Sequence, residues 1–215
     1  MLIIGCGYLG RAVGAQYLLA GTPVTGVVST LTSAGILEKI GISPVVHDLD
    51  LATEPLDLDA HSEIFYFAPP SDHHLQDKRL RMFLARLTEA EEAPRIVYTS
   101  TTGVFGDCQG AWVDENRPPN PATDRARRRL DAEQALAEWS RISGGEAVIL
   151  RVSGIYGPGR LPLARLRQGM ALLEESAAPP SNRIHVQDLV TICAAAMTRG
   201  KAGETYNVSD GTPAR

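Results

Sequence analysis

The chain has 215 residues, with 21 Lys and Arg against 25 Asp and Glu, 44% hydrophobic residues and 20 glycines. This length allows one large domain, or one domain with a small lobe, and the ordinary apolar and charged fractions exclude disordered and fibrous classes. A formal net charge of −4 gives no basis for a nucleic-acid partner, and no apolar run approaches the roughly 18 residues of a membrane span.

Short apolar runs alternate with helical patterns from the first residue. A strand over 1–4 is followed by a helix over 11–20 that Gly21 closes, a strand over 24–28, a helix over 32–40 that Gly41 closes, and a strand over 45–47. Next come a strand over 64–68, a helix over 72–93, a strand over 96–99, a helix over 123–140 and a strand over 147–150. Turn chemistry at Gly157-Pro158-Gly159 and Pro179-Pro180-Ser181-Asn182 precedes a helix over 188–199 and a last strand over 205–208. Most strands are apolar on successive residues, as strands buried on both faces are. The expected class is therefore α/β, a doubly wound parallel sheet with right-handed crossovers. Cys6, Cys108 and Cys193 lie far apart with no Cys-x-x-Cys pair, and no charged leader precedes an apolar core and cleavage site. That predicts reduced thiols and a cytoplasmic protein.

Gly5-Cys6-Gly7-Tyr8-Leu9-Gly10 fits G-x-G-x-x-G and stands where a strand should pass directly into a helix. In a dinucleotide site Gly5 permits the tight turn, Gly7 lets the main chain approach a pyrophosphate, and Gly10 lets the helix pack close to the sheet. Free N–H groups at the helix start, around Tyr8 and Leu9, then face the phosphates. The second strand ends Val28-Ser29-Thr30 with no carboxylate to bind ribose hydroxyls, which tilts the expectation from NAD toward NADP. Asp48-Leu49, after the third strand, would meet the adenine edge or simply be a solvated strand end. Phe67-Ala68-Pro69-Pro70, after the fourth, would contact the cofactor or merely stop a strand. Asp72-His73-His74 offers no third ligand, and no metal is expected.

With these features in place, the sequence resembles the extended short-chain dehydrogenase/reductase family, the NAD-dependent epimerase/dehydratase group, over nearly its whole length. Beyond the glycine loop, the likeness is carried by Thr99-Ser100-Thr101-Thr102-Gly103-Val104-Phe105-Gly106, similar to the family's serine-rich strand end, and by Val113-Asp114-Glu115. It continues through Leu150-Arg151-Val152-Ser153-Gly154-Ile155-Tyr156-Gly157-Pro158-Gly159, Arg183-Ile184-His185-Val186-Gln187-Asp188-Leu189 and Tyr206-Asn207-Val208. The resemblance implies an NAD(P)-binding Rossmann fold, with residues from about 155 to 215 contributing a small or truncated C-terminal substrate lobe. It assigns Thr101 the hydroxyl that hydrogen-bonds the reacting oxygen, counts Thr99 among the cofactor contacts, and sets Val152, Ser153 and Ile155 beside the nicotinamide. His185 and Asp188 resemble the family's structural link to the substrate lobe.

One departure is large. Aligning on Leu130-Asp131-Ala132-Glu133 puts Arg125 and Arg129 where the family has the Tyr and Lys of its Tyr-x-x-x-Lys pair. Neither guanidinium can serve as a general base. Arg125, Arg128 and Arg129 share one helix face, which would either grip an anionic substrate or stand as a solvated basic face. Asp124 and Tyr156 are alternative proton donors. The implied function is an epimerase/dehydratase-like oxidoreductase acting on a small carbonyl or hydroxyl compound or a nucleotide-sugar through a non-standard active site. The alternative is a non-catalytic NADP(H)-binding sensor or scaffold. A homodimer through the helices over 72–93 and 123–140 is left open.

Overall fold

Three residues suffice for β1 (Leu2–Ile4) because it lies at the centre of the sheet, with Ile3 buried toward one helical layer and Leu2 and Ile4 toward the other. The computed structural model describes residues 1–51, 62–87, 93–161, 167–169, 174 and 178–214. After β1 the chain forms α1 (Tyr8–Leu19), β2 (Thr25–Val28), α2 (Leu31–Lys39) and β3 (Ser43–Val46), then resumes at β4 (Glu63–Tyr66). It continues with α3 (Lys78–Leu87), β5 (Arg95–Thr101), a 3-10 turn (Thr102–Phe105), α4 (Asp124–Ser143) and β6 (Glu146–Val152). Last come β7 (Gly154–Tyr156), β8 (Arg183–His185), α5 (Val186–Arg199) and β9 (Thr205–Val208).

Seven strands form one parallel sheet in the order β3-β2-β1-β4-β5-β6-β9. The residues of α1, α2 and α5 pack in the cluster on one face, and those of α3 and α4 in the cluster on the other. Winding runs outward from β1 to β3 and then restarts at β4 on the other side, so the strand order reverses between β1 and β4. In such sheets the crevice at the carboxyl ends of those two strands is where ligands bind. No helix among the described residues is long and apolar enough to cross a membrane.

The doubly wound parallel sheet is as expected, and the boundaries differ for local reasons. Gly21 and Gly41 take the left-handed φ of +82° and +85° just past α1 and α2. The first helix begins at Tyr8, three residues early, because the glycine motif itself supplies its first turn. β3 includes Pro44, tolerated because β3 is an edge strand. The helix expected over 72–93 starts at Lys78, where the Asp77 carboxylate accepts the Leu80 N–H at 3.1 Å and caps it; residues 88–92 of that expectation lie outside the described ones. β7 and β8 form a separate two-stranded parallel ladder with no counterpart in the sequence pattern. From Val186 onward, the segment expected to supply a small lobe returns to the main sheet. There α5 packs on α1 and β9 pairs with β6.

Candidate functional site

At the carboxyl end of β1 the main chain turns sharply. Gly5 and Cys6 both donate to Val27 O, at 3.1 and 2.9 Å, and Gly5 has φ +77°. A Cβ on Gly5 would stand 2.5 Å from Ala68 N and 2.6 Å from Ala68 Cα, so only glycine lets the loop pass the end of β4. At Gly7 a Cβ would meet nothing closer than Gly5 O at 3.9 Å, which leaves the main chain bare toward the space beside it. Gly7 is also the N-cap of α1, with no side-chain cap and no acidic residue in the first turn. The amides of Tyr8, Leu9 and Gly10 find no acceptor among the described residues. Bare amides at a helix start with nothing negative of their own are a seat for an anion. At Gly10 a Cβ would sit 3.0 Å from Ile3 Cγ2 and 3.3 Å from Cys6 Sγ, and the same sulfur would be 2.9 Å from a Cβ on Gly26. The thiol is thus wedged between α1 and β2, and burial pushes it up to about 12.

A cavity of about 550 Å³ opens over this loop. It is lined by Gly5, Gly7, Tyr8 and Leu9, by Phe67 and Pro69 after β4, by Thr99 to Gly103, by Thr123, Arg125, Ala126 and Arg129 of the α4 start, and by Val152 to Ile155 and Arg160. Thr101 Oγ1 accepts the Gly103 N–H at 3.1 Å, capping the 3-10 turn. Ser100 beside it donates instead to Glu133, which is clamped by Arg151 through 3.2 and 2.8 Å contacts. Arg151 also lies over the Phe105 ring at 4.8 Å. Arg129 is buried, and its Nη1 donates to Tyr98 Oη and Thr99 O, both at 2.9 Å, and to Ala68 O at 3.5 Å. One guanidinium thereby ties the ends of β4 and β5 together and presents a fixed positive charge to the cavity wall. Burial holds the Tyr98 phenol well above its ordinary value, so it stays protonated. Ser153 is 7% exposed, and among the described residues its Oγ has no hydrogen-bond partner; nor does the buried Tyr8 Oη.

The structure brings together Gly5, Gly7, Tyr8, Leu9, Phe67, Pro69, Thr99, Thr101, Arg125, Arg129, Val152, Ser153 and Ile155 around this one cavity. Gly10 and Ala68 stand behind it as backing. Ser29 and Thr30 lie away from it and exposed. The Thr30 hydroxyl caps α2, accepting from Ser33 N at 3.2 Å and donating to Ser33 Oγ at 2.9 Å. Asp48 is likewise outside, accepting from Asp50 N at 2.9 Å, and Leu49 packs against the core cluster. Asp124 pairs with Arg127 at 2.6 Å, and Tyr156 lies edge-on to His185 in a neighbouring cavity of about 350 Å³. His185 itself caps α5 by accepting the Gln187 N–H. Sequence reasoning missed Arg160, whose guanidinium lies 4.6 Å above the Tyr8 ring, and Arg79, which bridges Asp50 and Pro69 O. Nothing in the local pattern marks either one. The Glu133–Arg151 pair sits inside motifs that were noticed, without a sign that they meet.

Comparison with known proteins agrees with this geometry. The model of the NAD dependent epimerase/dehydratase family matches residues 1–209. The chain belongs to that family. It is 29% identical over 215 residues to Protein YeeZ of Escherichia coli (strain K12), covering 96% of this chain and 76% of YeeZ. A solved, functionally unknown conserved protein from Silicibacter pomeroyi DSS is 30% identical with a TM-score of 0.82, over 99% of this chain and 73% of that one. A dTDP-glucose 4,6-dehydratase from Bacillus anthracis str. Ames, solved in complex with NAD, superposes with a TM-score of 0.78 over 99% of this chain and 76% of that one. At 17% identity that likeness shows the fold alone.

Proposed function

We propose that the chain binds a nicotinamide dinucleotide across the carboxyl edge of β1 and β4. We read it as an epimerase/dehydratase-like oxidoreductase for a small carbonyl or hydroxyl compound, nucleotide-sugars included. One observation carries this: the bare glycine loop and the Thr101 hydroxyl border the same cavity. Gly5, Gly7, Tyr8 and Leu9 would hold the diphosphate, and Phe67, Pro69, Thr99, Val152, Ser153 and Ile155 the nicotinamide half. When bound, the dinucleotide supplies or accepts a hydride at a carbonyl carbon. Because Thr101 Oγ1 already accepts from Gly103 N–H, its own proton is free to be donated to a substrate oxygen, stabilising the charge that develops there. Arg125 stands in the place of the family's Tyr, and its guanidinium takes up no proton. The described lining holds no His, carboxylate, Lys or Cys, and its one phenol, Tyr8, lies under Arg160 at the glycine-loop end with its Oη buried. Water is left to deliver the proton, at a rate about 10²–10⁴-fold below that of a positioned acid–base group.

That same composition supports a second reading, a non-catalytic NADP(H)-binding sensor or scaffold. On nucleotide choice, the absence of a carboxylate after β2 and the exposed Ser29 hydroxyl favour NADP over NAD, while Thr30 is occupied as a helix cap. A cytoplasmic location and a homodimer through α3 and α4 belong to the same proposal, and light scattering in solution tests the dimer. Fluorescence titration with NADPH and NADH tests the main reading. Saturable binding is expected, reduced at least tenfold by Gly7→Asp with melting behaviour unchanged; undiminished affinity in the folded variant overturns it. NADPH oxidation across a carbonyl panel then separates the two readings, turnover favouring the enzyme and binding without turnover the sensor.

A further inference from the structure

Three guanidinium groups, Arg125, Arg129 and Arg160, line the cavity, and no described lining residue is a carboxylate, in a chain whose formal net charge is −4. The structure sorts the arginines of α4 that share one helix face. Arg129 is committed to Tyr98 Oη and the carbonyls of Ala68 and Thr99. Arg128 turns away and donates to the carbonyls of Asp72 and His74, at 3.3 and 3.1 Å. Arg125 makes no hydrogen bond or ion pair among the described residues. The acids near it are already engaged: Asp124 by Arg127, Asp131 by Arg81 and Glu133 by Arg151.

Arg125 also stands in the first turn of a 20-residue helix, where the partial positive charge of the helix end disfavours a cation. Arg129 lies one turn further along the same wall, so two guanidiniums stand at a helix start whose own first-turn acid, Asp124, is paired with Arg127. At the opposite end, Arg160 over Tyr8 accompanies the glycine loop, and its charge goes with the diphosphate read there. A second polar group points to an occupant. Ser153, more than nine-tenths buried, lines the same cavity on the side read as the nicotinamide half, and its Oγ has no partner among the described residues, so it is open to a group seated between nicotinamide and Arg125.

We propose that the Arg125 end of the cavity receives a second anion, carried by the substrate, so that the reacting compound bears a carboxylate or phosphate group beside its carbonyl or carbinol. This rests on the dinucleotide reading and narrows its substrate class. The planar fork of Arg125 grips the anionic group in a bidentate way and sets the neighbouring oxygen toward Thr101. Arg129 adds field from a fixed position, held through its Nη1 by Tyr98 Oη and the carbonyls of Thr99 and Ala68.

The test uses the full chain with malonate and, separately, inorganic phosphate as probes, titrated by calorimetry into the protein with and without saturating NADPH. Arg125→Gln, Arg125→Lys and, as a control at the exposed far end of the same helix, Arg141→Gln are compared with the unaltered chain. Removing one charge-assisted contact at an open position is expected to weaken the preferred anion about tenfold in Arg125→Gln. A smaller loss is expected in Arg125→Lys, none in Arg141→Gln, and NADPH affinity should stay unchanged throughout. Whichever of malonate and phosphate binds more tightly identifies the group as carboxylate or phosphate. Equal anion affinity in the unaltered chain and Arg125→Gln overturns the proposal, as does competition between the probe and NADPH. Failure of NADPH to bind the unaltered chain strikes the underlying dinucleotide reading instead, and the nucleotide-free titration still reports on Arg125.

Discussion

Glu133→Gln isolates the buried ion pair behind the serine-rich turn. The side chains of Arg151 and Glu133 are 8% and 6% exposed, and the carboxylate receives three contacts from Arg151 and one from Ser100. Neutralising it strands a guanidinium whose Nη1 already lacks a partner among the described residues. Breaking one side of such a pair costs about 3–5 kcal/mol, because the remaining charge stays buried without compensation. For a chain of this size each kcal/mol lowers Tm by about 2–4 °C, so calorimetry should record a drop of roughly 6–20 °C. Asp124→Asn makes the contrast. Its pair with Arg127 is 62% and 46% exposed, and its loss is expected to cost about 0–1 kcal/mol. Replacing both partners, as Glu133→Leu with Arg151→Met, should recover most of the loss, since neither charge is then left over. A single variant no worse than Asp124→Asn, or a double variant as unstable as the single, refutes the assignment of the cost to a stranded charge.

Gly5→Ala is expected to destabilise by about 2–5 kcal/mol in denaturant titration, summing a left-handed φ with a clash against the Ala68 main chain. Gly14→Ala, whose Cβ would stand 2.5 Å from Ile42 Cδ1 and 3.5 Å from Ile3 Cδ1, is expected to cost less than Gly5→Ala, because a side-chain end gives way more readily than main chain and the helix prefers alanine. Native-state alkylation followed by mass spectrometry should modify Cys108 first. Cys6 and Cys193 are buried and their thiols are pushed up to about 12, so early labelling of either would contradict their placement. Arg79 beside Asp50 holds that carboxyl below its usual range, so the stability it adds is present above the ordinary Asp value of about 3.9 and fades as pH falls through the depressed one. Arg79→Met should accordingly cost under about 1 kcal/mol at pH 7 for this part-exposed pair and less at the acid end, where only the bond to Pro69 O is lost, read from pH-dependent melting curves.

The sheet was legible because buried parallel strands advertise themselves as unbroken apolar runs, Ile64 to Tyr66 and Ala147 to Leu150 among them. The glycine loop was legible because its spacing answers a backbone requirement that side chains cannot meet. Less legible were the places where distant segments supply the partner. Asp77 caps α3 from within a run that looked helical, and the β7/β8 ladder joins two short pieces separated by more than twenty residues. The division of labour among Arg125, Arg128 and Arg129 could not be read from spacing at all. It depends on which carbonyls lie opposite each guanidinium, and those come from β4, β5 and the 72–74 turn.

The sulfur wedged between Gly10 and Gly26 makes three scattered positions share one volume. Trimming it, as in Cys6→Ala, relieves the contact that a methyl group at 26 or 10 would make with the sulfur, leaving the ends of Leu37 and Ile42 to give way at 26 and that of Ile3 at 10. Changes at 6, 10 and 26 are therefore expected to arise as compensating sets, with bulk traded among them while the total is conserved.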